Sequence, residues 1–397
     1  MFICTKRVLV AALALLGAGI SHAPAQRPGA AGAVVLSDSA VNVTVPAGVP
    51  LSIVSIDAGE TEINSSGGAL LIDLRCTLSV RNTGKSAVRS VSFSVFTQEG
   101  TVGGKASVAV PSLNVASDGT FPVRLNLRLL RPLPAPENGL VNVIVDGVLL
   151  SDFSFFGPDK LDSRRRLMVW ESEAGRDRTY FKAALAAGGK EKLRQEILAG
   201  LRRQQNRPRL QARPAGRGGR MLSAAAGARA GNQIALAFLD VPESPLEALS
   251  GSAMVDGRSS ESPHVTVRNR SPKAVRYFEM GWLVDDADDK RYAAGSLPGP
   301  ASRVDLRPGQ SVSTHPQQRF VFSPHSRSGD SPFAIKGMTG YVNHVVFEDD
   351  SIWIPSRESL DKARLLDVTP PSPEEQRLTG LYLNKGLDAL IAELERF

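Results

Sequence analysis

Cysteine is nearly absent: the 397 residues contain two, Cys4 and Cys76, which excludes a disulfide-stapled scaffold and a cysteine-ligated metal cluster. No run of about 18 or more apolar residues occurs, so a polytopic membrane protein is excluded as well. Histidine is scarce, and between the first 25 residues and His264 there is none. There is no GxSxG elbow, no serine–lysine signature, no HExxH and no glycine loop placed to cradle phosphate. Pairs of carboxylates carry no information, because in a chain with 40 acids any pair can be chosen. These absences leave catalysis without positive support. The expectation is a non-enzymatic protein with no cofactor and no metal site.

What is present begins with a leader. Lys6 and Arg7 precede an apolar run from Val8 to Ile20, and Ala23-Pro24-Ala25 follows. This three-part pattern predicts a cleaved secretory signal over residues 1–25, with an apolar core too short to span a bilayer. The expected mature chain is periplasmic or secreted and has no transmembrane segment. Its one remaining thiol, Cys76, lies in the alternating stretch Leu70 to Val80 and reads as a small buried hydrophobe.

Self-similarity organises the rest. Val80-Arg81-Asn82 and Ala87-Val88-Arg89 recur as Val267-Arg268-Asn269 and Ala274-Val275-Arg276. Asp152, Ser154 and Pro158 recur as Asp349, Ser351 and Pro355, ten positions later than the first spacing requires, which predicts a loop insertion in the second copy. Gly189, Leu193 and Glu196 fall opposite Gly386, Leu390 and Glu393. One unit, sandwich and tail together, reads as written twice.

Within each unit the front portion predicts short strands. Val91, Phe93 and Val95 alternate with serines, and Phe121, Val123, Leu125, Leu127 and Leu129 alternate with polar residues or proline, giving one buried and one wet face. Turn residues such as Asn82-Thr83-Gly84 and Pro308-Gly309 separate the runs. The fold class expected is mainly β: two tandem immunoglobulin-like antiparallel sandwiches, each followed by short helices. Leu193, Ile197 and Leu201 form one helical stripe, and Leu387, Leu390, Ile391 and Leu394 another, each expected to dock on its own domain. Ser372-Pro373-Glu374-Glu375 supplies a cap, a first-turn proline and a capping-box acid, so a helix should start near Pro373. The predicted boundaries are a sandwich over 34–160, a helical tail over 161–204, a linker over 205–231, a second sandwich over 232–356 and a second tail over 357–397.

Around that linker the charge is one-sided. Arg202, Arg203, Arg207, Arg209, Arg213, Arg217, Arg220 and Arg229 occur with no lysine and no acid among Gly, Ala and Pro. Such a stretch buries too little to offset its ordering entropy and predicts a flexible tether. Its first seven arginines are candidate contacts to an anionic envelope surface. Nucleic acid is not the expected partner, because no aromatics are interleaved and the leader exports the chain. The partner expected is an unidentified envelope protein or polysaccharide.

Two rival readings concern the second unit. His264, His315, His325 and His344, with the acidic run Asp285, Asp286, Asp288 and Asp289, would serve an exported hydrolase or metal-dependent enzyme if the fold brought them together. Tyr277 and Leu283, opposite Ser90 and Phe96 on the face read as wet, are candidate contacts for a carbohydrate or peptide. Trp282, Phe278 and Trp353 read as core.

The phrase Val80-Arg81-Asn82-Thr83-Gly84-Lys85-Ser86-Ala87-Val88, with its partner Val267-Arg268-Asn269-Arg270-Ser271-Pro272-Lys273-Ala274-Val275, resembles the strand–turn–strand of bacterial exported immunoglobulin-like modules of the FxLYD type. Trp282-Leu283-Val284-Asp285 matches that family's closing aromatic and Asp loosely, and Val95-Phe96-Thr97-Gln98 departs further. The resemblance implies an extracytoplasmic interaction or structural module and carries over no catalytic residue.

Overall fold

The computed structural model describes residues 34–38, 41–98, 104–133, 140–214, 231–261, 263–299, 304–314, 319–324 and 333–397. The expected leader therefore lies outside the described residues. In the first half the strands are β1 Val34–Asp38, β2 Val41–Val45, β3 Leu51–Asp57, β4 Glu62–Ser66, β5 Ala69–Asn82, β6 Val88–Phe96, β7 Lys105–Val110, β8 Thr120–Pro132, β9 Val141–Leu150 and β10 Phe155–Phe156. Helix α1, Ser163–Asn206, follows. The second half comprises β11 Leu210–Pro214, β12 Asn232–Ala235, β13 Ala237–Phe238, β14 Leu246–Asp256, β15 Ser259–Glu261, β16 His264–Asn269, β17 Val275–Asp286 and β18 Arg291–Pro298. It continues with β19 Ser311–Thr314, β20 Arg319–Pro324, β21 Ile335–Phe347, β22 Ile352–Trp353, α2 Arg357–Lys362 and α3 Pro373–Glu395. The chain is mainly β, in several antiparallel sheets.

The pairing order of the first half recurs in the second. β2 runs parallel to β9, β9 antiparallel to β6, and β6 antiparallel to β7. Likewise β13 runs parallel to β21, β21 antiparallel to β17, and β17 antiparallel to β18. In the other sheet, β5 lies between β3 and β8 as β16 lies between β14 and β19. Each pair of sheets closes on its own core, the first around Phe93, Leu125 and Val143, the second around Phe278, Trp282 and Val345. Cys76 is 2% exposed within the first core. One residue anchors the turn in each half. Asn82 Nδ2 donates to the carbonyls of Ser86 and Val115, and its Oδ1 accepts from Gly84 N. Asn269 Nδ2 donates to those of Lys273 and Leu306, and its Oδ1 accepts from Ser271 N. Both asparagines are fully buried, and their amides bond the turn carbonyls in addition to the backbone bonds that Val88 N and Val275 N make to Val115 and Leu306.

The face of β6 read as wet is dry. Ser90 and Ser92 are 1% and 0% exposed, and α1 lies over this face: Ser163 Oγ donates to Asp146 Oδ2 at 2.6 Å and stands 2.9 Å from Ser92 Oγ. Small side chains let a helix approach closely, and Ser92 still finds partners in Ser163 and Arg166, which period-two patterning does not register. The same helix reaches the second half. Leu167 and Met168 pack with Leu149 on one side and Ile352 on the other, and Arg164 pairs with Asp350 at 2.8 Å. Helix α1 is thus a shared layer between the two β units.

The tails also depart from the expectation that each docks on its own domain. Phe181, Leu193 and Ile197 of α1 form one cluster with Leu378, Leu390 and Leu394 of α3. Gly188 and Gly189 break α1, and Gly386 breaks α3; Gly189 (φ 63°, ψ −158°) and Gly386 (φ 83°, ψ −177°) share a conformation that side chains disfavour. Each tail therefore folds back on itself before meeting the other. The predicted cap is present, with Ser372 Oγ accepting from Glu375 N at 3.0 Å.

The expected tether begins later than its composition suggested. Helix α1 continues to Asn206, and β11 pairs with β20, with Leu210 and Ala212 packed against the second core. Leu210 and Ala212 alternate with Gln211 and Arg213, a period-two signal hidden by the arginines around it. Residues 215–230, with Arg217, Arg220 and Arg229, lie outside the described residues.

Candidate functional site

Chemistry concentrates at the joint where α1, α2 and α3 meet. Along α1, Leu167, Glu171, Ala174, Arg178 and Phe181 follow one another at helical spacing, and all are buried. Charged residues thus occupy core positions, and each needs a partner. Asp177, fully buried, accepts from Arg357 Nη1 at 3.3 Å, from Arg176 Nε at 3.1 Å and from Ser372 Oγ at 2.5 Å. Arg357 also reaches Glu375 Oε2 at 2.8 Å. Arg178 lies between Glu171 at 2.5 Å and Glu374 at 3.3 Å. Glu374 is gripped by Arg377 through two bonds of 2.8 and 2.9 Å and accepts from Ser112 Oγ of the first half at 2.5 Å. Burial works to raise the Glu374 carboxyl, but Arg377, Ser112 and Arg178 outweigh it and hold the group below its ordinary value. The terminal Phe397 ring is faced by the guanidiniums of Arg178 at 4.1 Å and Arg89 at 5.0 Å.

A second polar cluster lies where α1 covers β17 and β21. Tyr277 is half-buried under Arg165, whose guanidinium stands 3.7 Å from the ring centroid, and it stacks on His344 at 5.8 Å. Burial pushes the Tyr277 hydroxyl up to about 12 and the His344 imidazole down. His344 Nε2 lies 3.8 Å from Glu279 Oε2, and Ser296 Oγ donates to the other Glu279 oxygen. That order, Ser–Glu–His, places a carboxylate rather than an imidazole on the hydroxyl, the wrong sequence of groups for activating a serine. Glu173 of α1 completes the cluster, its carboxyl pushed up to about 7 chiefly by burial.

The residues singled out in the sequence distribute as follows. Tyr277 is no open platform: Arg165 covers its ring, and the cavity of about 290 Å³ beside it is walled by Arg164, Arg165 and Asp350. Leu283 is not a surface residue. It is 1% exposed, packed with Val241, Tyr341 and Leu365, because α2 and the segment after it cover the face that patterning left open. His264 is exposed on β16, in a different sheet from the buried His344 on β21, whereas His315 and His325 lie outside the described residues. The acidic run closes a hairpin. Asp286 accepts from the backbone of Asp288 and Lys290 and from Tyr292 Oη, Asp285 pairs with Arg291, and Asp289 pairs with Lys336. Among the described residues no group of three or more His, Cys, Asp or Glu is placed to hold a metal ion.

Of the arginines, Arg202, Arg209 and Arg213 are exposed. Arg203 and Arg207 turn inward beside Arg176, Arg357 and Glu375 and line a small cavity of about 30 Å³. Asp177, Arg178, Glu171, Arg357 and Glu374 do not stand out in the sequence, because charges on a helix read as a solvated face. On α1, the spacing of Glu171 and Arg178 in phase with Leu167 and Phe181 was the available signal.

No family model matches the chain, and no curated protein matches it. Among solved structures, similarity is faint. A chain titled "pT26-6p" is 8% identical, with 86% of this chain and 73% of that chain covered and a TM-score of 0.16. A W96F oxalate decarboxylase from B. subtilis is 13% identical, with 80% and 87% covered and a TM-score of 0.09. An 11S allergen from Cocos nucifera L. is 12% identical, with 81% and 99% covered and a TM-score of 0.07. Likeness at this level carries no conclusion about fold or function.

Proposed function

We propose that the protein is an exported, non-enzymatic component of the cell envelope, with a structural or binding role, built from one immunoglobulin-like sandwich-and-tail unit written twice. The leader pattern and the FxLYD-type turn phrases support export and family. The recurrence of pairing order, of the Asn82 and Asn269 turns and of the Gly189 and Gly386 breaks supports the duplication. The observation that carries the role is the joint itself. Buried charges from α1, α2 and α3 satisfy one another across the halves, which suits a part that holds two β units at fixed spacing. Exposed Arg202, Arg209 and Arg213 provide cationic contacts to the envelope. The test is export and fractionation of the full chain, followed by crosslinking in the native envelope and a turnover screen of the purified protein against esters, peptides and glycosides. Envelope retention with a reproducible crosslinked neighbour and no turnover is expected; cytoplasmic retention or robust hydrolysis overturns the reading.

A further inference from the structure

The small cavity at the base of the arginine-rich stretch has an unusual wall. Four side-chain donors there are buried and lack a hydrogen-bond partner: Arg203 Nη2, Gln204 Nε2, Arg207 Nε and Arg357 Nη2. Arg357 is more than nine-tenths buried, and Arg203 Nη2 has only Glu375 Oε1 at 3.7 Å, beyond hydrogen-bond range. Buried donors are rarely left unmet, so four around one cavity mark a missing acceptor. Charge points the same way. Arg176, Arg203 and Arg357 lie within 4 Å of Asp177 or Glu375 and Arg207 lines the same cavity, so four arginines meet two acids and two positive charges are in excess. Burial and neighbouring Arg209 push the Arg207 guanidinium down from its ordinary value, the behaviour of a cation without a counter-charge.

From the donors, the excess charge and the cavity we infer that this joint binds a dianionic tetrahedral oxyanion, a phosphate or phosphomonoester. The cavity offers about 30 Å³, against the roughly 10–15 Å³ that one water requires. Two oxygen-sized atoms fit inside, so the oxygens of a phosphate enter and any ester substituent stays outside. Guanidinium forks match such an oxygen pair in geometry and charge. The inference does not depend on export or on the absence of catalysis. It does explain why Arg203 and Arg207 turn inward while Arg202 and Arg209 remain exposed.

The test is calorimetric titration of the full chain, freed of phosphate by dialysis, with inorganic phosphate at constant ionic strength in chloride. Saturable binding with a stoichiometry of one is expected. The paired substitution Arg203→Gln with Arg207→Gln should weaken it about ten-fold or more through lost charge-assisted bonds, whereas Arg202→Gln with Arg213→Gln, both exposed and outside the cavity wall, should leave it unchanged. Should the first pair fail to fold, Gln204→Glu supplies the acceptor internally; it should raise the melting temperature without phosphate and abolish phosphate binding. Phosphatidylcholine vesicles with and without phosphatidic acid separate the sources. Vesicle binding displaced by free phosphate identifies a headgroup, and phosphate binding without vesicle binding identifies a soluble phosphomonoester. No saturable uptake, competition by chloride at equal concentration, or equal loss in the exposed arginine pair overturns the site.

Discussion

Arg357 Nη1 lies 3.3 Å from Asp177 Oδ1, although 180 positions separate them in the chain. One belongs to the short helix after the second β unit and the other to the helix after the first. Both are buried, so their charges are compensated almost entirely by each other and by Arg176, Ser372 and Glu375. An intact buried ion network adds little net stability, but removal of one member strands the rest.

That asymmetry gives the first prediction. Arg357→Met leaves Asp177 and Glu375 without their shared partner and should cost about 3–5 kcal/mol in urea unfolding. Replacement of the exposed Arg202 by Met should change stability by less than about 0.5 kcal/mol. Equal effects of the two would show that the joint is not held by its buried charges.

The asparagine turns predict a matched pair of effects. Asn82→Ala and Asn269→Ala each remove at least two amide-to-carbonyl bonds at a buried site, while the Val115 and Leu306 carbonyls keep the backbone bonds from Val88 N and Val275 N. At about 0.5–1.5 kcal/mol net for each bond lost, each should lose roughly 1–3 kcal/mol in denaturant unfolding. Because the two sites make corresponding bonds, the losses should agree within about 1 kcal/mol.

How much of this was legible in the sequence depends on what neighbours each residue meets. The alternation in β6 and β8, the Asn turns, the Ser372 cap and the glycine breaks are local signals, and local geometry decides them. The burial of Ser90, Ser92 and Leu283 is not local: each lies on a face that helices close, and a serine carries no hydrophobic mark. The tether was overextended for a similar reason, since Leu210 and Ala212 form a strand only because β20 is there to pair with. The ion network was the hardest to see, because Asp177 or Arg357 on an isolated helix is an ordinary solvated residue.

Glu173 predicts a pH dependence. Its carboxyl is raised from 4.5 to about 7, first by burial and then by the charges of Asp177 and Glu279, while Arg176 acts the other way. The folded state therefore favours the protonated form. The stability that this group contributes is complete below about pH 4.5 and is lost as the pH rises through 7. His344 acts in the opposite sense: its lowered value means that its contribution is present above the ordinary imidazole range and is lost on acidification. Glu173→Gln should flatten the decline between pH 4.5 and 7 and stabilise the protein at pH 8 by about 1–2 kcal/mol, a screened share of the roughly 1.4 kcal/mol per unit. Melting temperatures of both proteins across this range check it; parallel curves would remove Glu173 from the account.

The two tails pack closely at Gly200 of α1, where an added Cβ would stand 2.9 Å from Glu375 Oε1. Two effects compete in Gly200→Ala. Alanine improves helix propensity by about 1 kcal/mol. Against this, Glu375 is held by Arg357 at 2.8 Å and cannot retreat without loosening that bond, and a broken buried pair costs about 3–5 kcal/mol. The second effect is larger, so Gly200→Ala should lose about 2 kcal/mol in spite of the better helix former. Gly175, on the same helix, is the comparison: nothing lies within 4 Å of its added Cβ. Gly175→Ala should therefore gain about 0.5–1 kcal/mol. Opposite signs for two identical substitutions on one helix would place the difference at the α1–α3 contact, and gains at both would show that Glu375 moves freely there.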